Sequence, residues 1–374
     1  MHASRKPDTI VQLLSGLAIG GKERAALRLA THGIAEGMHQ ELWLFDTPFR
    51  SPELDFAPGA VPIRFMPRGP GLDLLFVRRL ARALAEARVD TLHAHNDSAL
   101  CYGALAGALL RRRAPRLLST FHTWPGRGSR LACGLTRWAA GRAATVAAVS
   151  DELTTRLGRE RGLNRCATVW NGIDLDAFRP GEDDGRWHDR LGIAPGTPLV
   201  VHVGRFDPVK RHADVLTSAL IVHAVQPAAV FVLAGDGPMF AEIAAQARAM
   251  PWVHLVGNVT DIAPLLRAAR IFVLPSTHEC APLALLEAMA SGLACIGSAV
   301  GGMPTMLTGD DGRANGVLVA PGNTAALAAA IIRLLGDPAL RNEMGRRARA
   351  RAADFSFARE WETYRSLYAG VSAR

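Results

Sequence analysis

Short apolar runs recur along the chain, each followed by a longer stretch rich in Ala, Leu and Arg. Leu199-Val-Val-His-Val203 and Val230-Phe-Val-Leu-Ala234 are the clearest. Such runs are apolar at consecutive positions rather than alternate ones, as expected of strands buried on both faces. Alternation with helical stretches predicts parallel sheets covered by helices on both sides, an α/β architecture. At 374 residues the chain exceeds what one hydrophobic core usually supports. Two domains are expected. A polar, turn-rich stretch, Pro180-Gly-Glu-Asp-Asp-Gly185, reads as the linker. We place the first domain at residues 1–179, the second at 180–355, and a terminal helix at 356–374. No repeat or low-complexity tract is visible.

Chemistry concentrates in Ser276-Thr-His-Glu-Cys-Ala-Pro-Leu-Ala-Leu-Leu-Glu-Ala-Met-Ala-Ser-Gly292. The preceding Ile271-Phe-Val-Leu-Pro275 reads as a buried strand, and the segment itself as a loop and then a helix. Pro282 suits the first turn of that helix and Gly292 its stop. Glu279 then lies in the loop and Glu287 inside the helix. The helix N-terminus directs unpaired N–H groups and a positive dipole end at the space between them, which favours phosphate. Glu287 sits among Leu285, Leu286, Ala288 and Met289, where a carboxylate without a partner is costly. Arg205 and Lys210, in Val203-Gly-Arg-Phe-Asp-Pro-Val-Lys210, follow another strand and offer two cations for a diphosphate.

The segment from Glu279 to Glu287 resembles the E-x7-E signature of retaining GT-B glycosyltransferases, the group 1, family 4-like enzymes. Val203–Lys210 is similar to their phosphate-binding strand-loop. Val169-Trp-Asn-Gly-Ile-Asp174 resembles their interdomain segment, and Gly20-Gly21-Lys-Glu-Arg24 the glycine loop of their acceptor domain. Leu233-Ala-Gly-Asp-Gly-Pro238 and Val256-Gly-Asn-Val-Thr-Asp261 match further donor-domain loops. These matches run in family order from about Leu13 to Tyr368. They specify the family and leave the substrate open.

The resemblance implies a GT-B fold, two Rossmann-like doubly wound domains facing across a cleft. Residues 1–179 would bind the acceptor and residues 180–355 the nucleotide-sugar donor. The terminal helix, with Phe357, Trp361, Tyr364 and Tyr368 at helical spacing, would cross back to the first domain. Arg205, Lys210 and the N–H groups of Leu283 and Ala284 would hold the diphosphate. Glu287 would hold the ribose, and Glu279 a hydroxyl of the donor sugar. Gly20 and Gly21 would let their loop approach the phosphates. His122, in Thr120-Phe-His-Thr-Trp124, matches a histidine that faces the reacting sugar; His95 is a second candidate, and Ser150 reads as a helix cap. Catalysis would fall to Glu279, His122, Arg205 and Lys210. The donor, UDP- or GDP-linked, is a substrate rather than a cofactor, and no catalytic metal is implied. Pro282 stands where many relatives have Gly and removes one N–H from the loop.

The formal charge of +9 is unevenly distributed. Between Ala60 and Val149 stand fourteen arginines against Asp73, Glu86, Asp90 and Asp97. Leu72–Arg88 reads as an amphipathic helix with Leu, Phe and Val on one side and Arg78, Arg79, Arg82 and Arg88 among its polar positions. Its basic side is either a solvated face or one that lies on an anionic bilayer. For the region as a whole, attraction to anionic lipid or a phosphorylated acceptor is expected. No nucleic-acid module accompanies the arginines, so nucleic acid is not expected as a partner.

Five scattered cysteines without a C-x-x-C pair suggest neither a disulfide framework nor a zinc site. Cys280 is either accessible beside Glu279 or a small packing residue. The segment Met1–Gly21 reads as a first strand rather than a signal peptide, and no apolar run is long enough to span a membrane. The expected location is the cytoplasm, either free or peripheral on the cytoplasmic face of the membrane. The expected activity is transfer of a sugar from a nucleoside-diphosphate donor to an acceptor hydroxyl, in building lipid-linked or cell-surface glycans such as lipopolysaccharide. The alternatives are a GT-B sugar-nucleotide epimerase or a non-catalytic sugar-nucleotide-binding protein.

Overall fold

A computed structural model describes residues 8–17, 20–46, 61–126 and 128–370. It comprises two units, Met1–Trp170 with Trp361–Arg374, and Asn171–Glu360. Met1–Pro7 of the N-terminal segment, and Arg127 of the basic region, lie outside the described residues.

The first unit holds seven strands: β1 (Thr9–Leu14), β2 (His39–Leu44), β3 (Ile63–Phe65), β4 (Thr91–Ala94), β5 (Arg116–Phe121), β6 (Thr145–Ala148) and β7 (Cys166–Thr168). They pair in the order β3-β2-β1-β4-β5-β6-β7, all parallel. The second unit holds β8 (Leu199–Val203), β9 (Val230–Ala234), β10 (Val253–Gly257), β11 (Ala269–Leu274), β12 (Ala294–Ser298) and β13 (Val317–Val319). Their order is β10-β9-β8-β11-β12-β13, again all parallel. These are two doubly wound sheets of the GT-B kind. Every residue of β1, β9 and β12 is buried, because helices cover both faces. Val200, Phe231, Leu233, Ile271, Val273 and Ile296 form the sheet side of the second core.

Each sheet reverses its strand order once, between β1 and β4 and between β8 and β11. In doubly wound proteins helices on opposite faces diverge at such a point, and ligands bind at the carboxyl ends of the two strands.

The border between the units lies after Trp170, so Pro180–Gly185 sits inside the second unit. The reason is a set of bonds made by the chain just before it. Ile173 bridges Ser356, Gly172 donates its N–H to the Glu360 carboxylate at 3.0 Å, and Arg349 donates to the carbonyls of Leu175 and Phe178. A Cβ on Gly172 would lie 2.5 Å from Cα of Phe357, so only glycine permits this contact. The last helix, Phe357–Tyr368, is divided between the units at Glu360 and Trp361. Trp361 donates to Glu36, while Tyr364 and Tyr368 enter the core of the first unit.

Candidate active site

In the second unit the switch-point strands β8 and β11 run directly into the loops that carry Arg205, Lys210 and Glu279. After Val203 the chain turns at Gly204 and buries Phe206, whose ring stacks on His212 with centroids 3.8 Å apart. Phe206 N–H donates to the Asp236 carbonyl and Met239 N–H to the Phe206 carbonyl. The loop Gly235–Gly237 thereby clamps Gly204–Phe206. A Cβ at Gly235 would stand 2.1 Å from the Gly204 oxygen, so the close approach depends on glycine. Asp207 then accepts from the N–H groups of Val209 and Lys210 at 3.0 and 3.2 Å and folds Pro208–Lys210 into a single 3-10 turn. That turn aims Lys210 back across the strand ends. Arg205 is exposed, and among the described residues it pairs with no carboxylate.

Glu279 meets Lys210 directly. Nζ of Lys210 lies 2.5 Å from Oε1 of Glu279, and Ser276 Oγ donates to the same oxygen at 2.7 Å. Glu279 is 9% exposed. Its loop is held from three sides. Thr277 N–H donates to the Val209 carbonyl at 2.9 Å. Asn171 Nδ2 donates to the Ala281 carbonyl at 2.9 Å. Gly302 N–H donates to the Cys280 carbonyl at 3.0 Å. At Gly301, with φ +56°, a Cβ would fall 1.4 Å from the Glu279 oxygen. Cys280 is buried, which removes the accessible alternative for its thiol.

The helix that follows spans Leu283–Ala290, with Pro282 as its N-cap, one position ahead of the first turn expected for it. Proline contributes its carbonyl there, to Leu285 and Leu286 at 3.1 and 3.3 Å, and its missing N–H costs the helix nothing. The opening N–H groups, those of Leu283 and Ala284, have no carbonyl one turn earlier to bond within the helix. The helix ends in a Schellman motif: Gly292 N–H bonds Met289 and Leu293 N–H bonds Ala288, with Gly292 at φ +79°. Glu287 lies in the helix at 3% exposure. A carboxylate so placed is held for a purpose other than solubility.

In the first unit Gly20 is the N-cap of helix Gly21–Ala35 and Gly21 its first residue. A Cβ on Gly20 would stand 2.5 Å from the buried Glu23 carboxylate, which pairs with Lys22 at 3.1 Å. This turn follows the carboxyl end of β1, at the β1/β4 switch point. His95 follows β4, and His122 follows β5. Their rings stack at 5.3 Å, and His95 Nδ1 lies 3.0 Å from His122 Nε2. Ser150 caps helix Asp151–Arg161 through Leu153 N–H, as read from the sequence. Burial pushes His93 down to about 3 and lowers His95 and His122 as well, so all three rings are neutral near pH 7.

The chain also contains one D-x-D spacing, Asp174-Leu-Asp176. Asp174 uses Oδ1 to accept from the N–H groups of Asp176 and Ala177 at 2.9 and 3.0 Å, the pattern of an Asx turn. Among the described residues no three His, Cys, Asp or Glu side chains converge as a metal site.

Known proteins share this chain's family and fold. The Glycosyltransferase Family 4 profile matches residues 19–177, and the Glycosyl transferases group 1 profile matches residues 183–351. N-acetyl-alpha-D-glucosaminyl L-malate synthase of Bacillus anthracis is 32% identical over 75% of this chain and 74% of its own length. The chain belongs to the group 1 glycosyl transferases. The putative glycosyltransferase EpsF of Bacillus subtilis is similar to this glycosyl transferase at 30% identity, over 79% of the chain and 80% of EpsF. Anabaena HepE, solved in complex with UDP and glucose, shares the fold. It superposes with a TM-score of 0.83 at 20% identity, covering 97% of this glycosyl transferase and 100% of HepE.

Sequence reasoning missed Ser276, Gln12 and Gln40 as site-building residues. The two glutamines were visible as buried-strand polar residues, Gln12 inside Ile10-Val-Gln-Leu-Leu14. A buried amide needs partners. Ser276 carried no such signal.

Proposed function

We propose that this glycosyl transferase moves a sugar from a nucleoside-diphosphate donor, UDP- or GDP-linked, to an acceptor hydroxyl with retention of the anomeric configuration. The observation that carries the reading is the cluster at the β8/β11 switch point. There an ion pair of half-buried Lys210 and buried Glu279 stands beside an exposed arginine and a helix that buries Glu287. In this reading Arg205, Lys210 and the N–H groups of Leu283 and Ala284 bind the diphosphate. Glu287 binds the ribose hydroxyls and Glu279 a hydroxyl of the sugar. The anomeric carbon–phosphate oxygen bond breaks as the bond to the acceptor oxygen forms on the same face. The departing phosphate takes the acceptor proton, and the two cations with the helix N-terminus stabilise its growing negative charge. No metal or cofactor is assigned a step. Within the first unit, His122 would meet a ligand hydroxyl, and Gly20 and Gly21 keep their turn open to a phosphate. The relatives' glycosyl transfer supports this reading, as does the UDP and glucose complex of HepE.

A glycan or lipid-linked acceptor at an anionic membrane is the second part of the proposal, with the enzyme peripheral on the cytoplasmic face. Helix Leu74–Glu86 leaves Leu74 and Leu75 62% and 67% exposed next to exposed Arg78, Arg79 and Arg82. Those leucines were expected on the packed side; Phe76, Val77, Leu80 and Leu84 occupy it instead. On helix Arg130–Ala140, Leu131 is 85% exposed, and Arg142 covers Trp138 at 4.7 Å. Apolar tips among arginines suit an interface with anionic lipid. No helix among the described residues is long and apolar enough to cross a membrane.

The test is a thermal-shift screen against UDP-, GDP- and ADP-sugars, followed by turnover of the hit with and without lipid-linked and soluble acceptors. A stabilising donor whose sugar appears on an acceptor in the donor's anomeric configuration supports the reading. An inverted product overturns retention. Conversion without an acceptor points to an epimerase, and binding without conversion to a non-catalytic protein.

A further inference from the structure

A line of hydrogen bonds runs through the core of the first unit and ends at His122. It begins at a backbone carbonyl, which can only accept. Gln40 Nε2 donates to Leu29 O at 3.4 Å, so the amide nitrogen of Gln40 faces Leu29 and its Oε1 faces the other way. That oxygen accepts from Gln12 Nε2 at 2.8 Å. Gln12 Nε2 also donates to Tyr368 OH at 3.1 Å, so both its hydrogens are used and Oε1 is turned towards His95. His95 Nε2 lies 2.7 Å from that oxygen and must carry the proton. In a neutral ring Nδ1 is then bare, and it lies 3.0 Å from His122 Nε2. His122 Nε2 must therefore donate, which leaves His122 Nδ1 without a hydrogen. Among the described residues that nitrogen is sealed from solvent and has no partner.

We propose that Gln40, Gln12 and His95 are positioning residues, a one-way relay that locks His122 in its Nε2–H tautomer. His122 Nδ1 is thereby kept as a bare acceptor, which a substrate hydroxyl reaches once the atoms that cover it move aside. The relay discriminates by hydrogen-bond polarity: an alcohol can donate to Nδ1, whereas a ketone, an ether or a deoxy position cannot. The surroundings are built for it. A Cβ on Gly33 would stand 1.8 Å from Gln40 Nε2, so glycine leaves the room the amide needs. A parallel branch links Tyr368 OH to His93 Nδ1, at 2.9 Å, and His93 Nε2 to Thr120 Oγ1, at 2.8 Å; with a hydroxyl at each end it accommodates either tautomer of His93. Tyr364 closes that branch on Thr120 at 2.8 Å. The last helix thus takes part through two tyrosines. Hydroxyl recognition by His122 rests on the function proposed above; the tautomer does not.

The experiment is nitrogen-15 NMR of histidine-labelled full-length protein near pH 7. It identifies which ring nitrogen carries the proton in each neutral imidazole. In the wild type His95 and His122 should both be Nε2–H. In Gln12→Leu, His95 loses the Gln12 acceptor at Nε2, and a substantial share of His122 should move to the Nδ1–H form. Gln12→Glu, protonated in this buried setting, keeps both polarities and should restore the wild-type pattern. If Gln12→Leu fails to fold, the wild-type spectrum and Gln12→Glu still decide the matter. A proton on His122 Nδ1 in the wild type overturns the relay whether or not any sugar is transferred. Nε2–H tautomers in the wild type, lost in Gln12→Leu, establish the relay even if the donor screen finds no substrate. With an active donor, Gln12→Leu should lower kcat/KM at least tenfold, with the loss recovered in Gln12→Glu.

Discussion

The ion pair between Lys210 and Glu279 is the feature of the candidate site most open to a quantitative test. Consider Lys210→Ala, Glu279→Gln and the double variant. At 2.5 Å the attraction between the two charges is about 7 kcal/mol for an effective dielectric of 20. Desolvation offsets most of it, because the two side chains retain only 20% and 10% of their exposure. Removing the lysine leaves Glu279 with Ser276 as its hydrogen-bond donor, and breaking a buried pair from one side costs about 3 kcal/mol. Glu279→Gln leaves a partly exposed ammonium that water can reach, and should cost about 1 kcal/mol. In the double variant a neutral amide faces Ser276 with no charge to satisfy. Its cost should then be about 2 kcal/mol, giving a coupling energy of about 2 kcal/mol. Because the chain has two units, one global unfolding transition would mix them. Native-state amide exchange on β11 and β12 reads the second unit separately. Costs that add to within about 0.5 kcal/mol would refute the coupling and, with it, the view that these residues form one element of the site.

Further outcomes follow from other contacts. Glu287→Gln should weaken donor binding by a factor of about ten, about 1.4 kcal/mol, with an unchanged melting profile; calorimetric titration that finds no loss removes Glu287 from the site. Gly301→Ala combines a positive φ with a backbone clash against Glu279 and should cost at least about 3 kcal/mol in the second unit, read by the same exchange experiment. Neutralising Arg78, Arg79 and Arg82 together should reduce sedimentation with anionic vesicles at low salt; an unchanged bound fraction would favour a soluble acceptor. Acid should destabilise the first unit. His93 binds its proton at about 3 when folded and near 6.5 when unfolded, so the unfolded state holds the extra proton between those values. Stability is therefore full above about 6.5 and falls by up to about 1.4 kcal/mol per pH unit for each such histidine as pH drops towards 3. A melting temperature flat from pH 7 to pH 5 would contradict the buried neutral rings.

Much of this protein was legible before folding because burial on both faces of a parallel sheet leaves a continuous apolar run. Leu199–Val203 and Val230–Ala234 are strands over the same residues in sequence and structure. The two carboxylates, the two cations and the helix between Pro282 and Gly292 were likewise local, since caps and strand ends are written in adjacent residues. What the sequence could not determine depends on residues far apart in the chain. Gly301 gives way to the Glu279 carbonyl, Asn171 anchors Ala281, and Asn171–Ile173 joins the second unit through Ser356 and Glu360. The tautomer of His122 is set from Leu29 through three side chains spread over two further strands and the loop after β4. A hydrogen-bond direction is a property of the whole line, fixed at its one invariant acceptor. Only the tertiary structure brings that acceptor within reach.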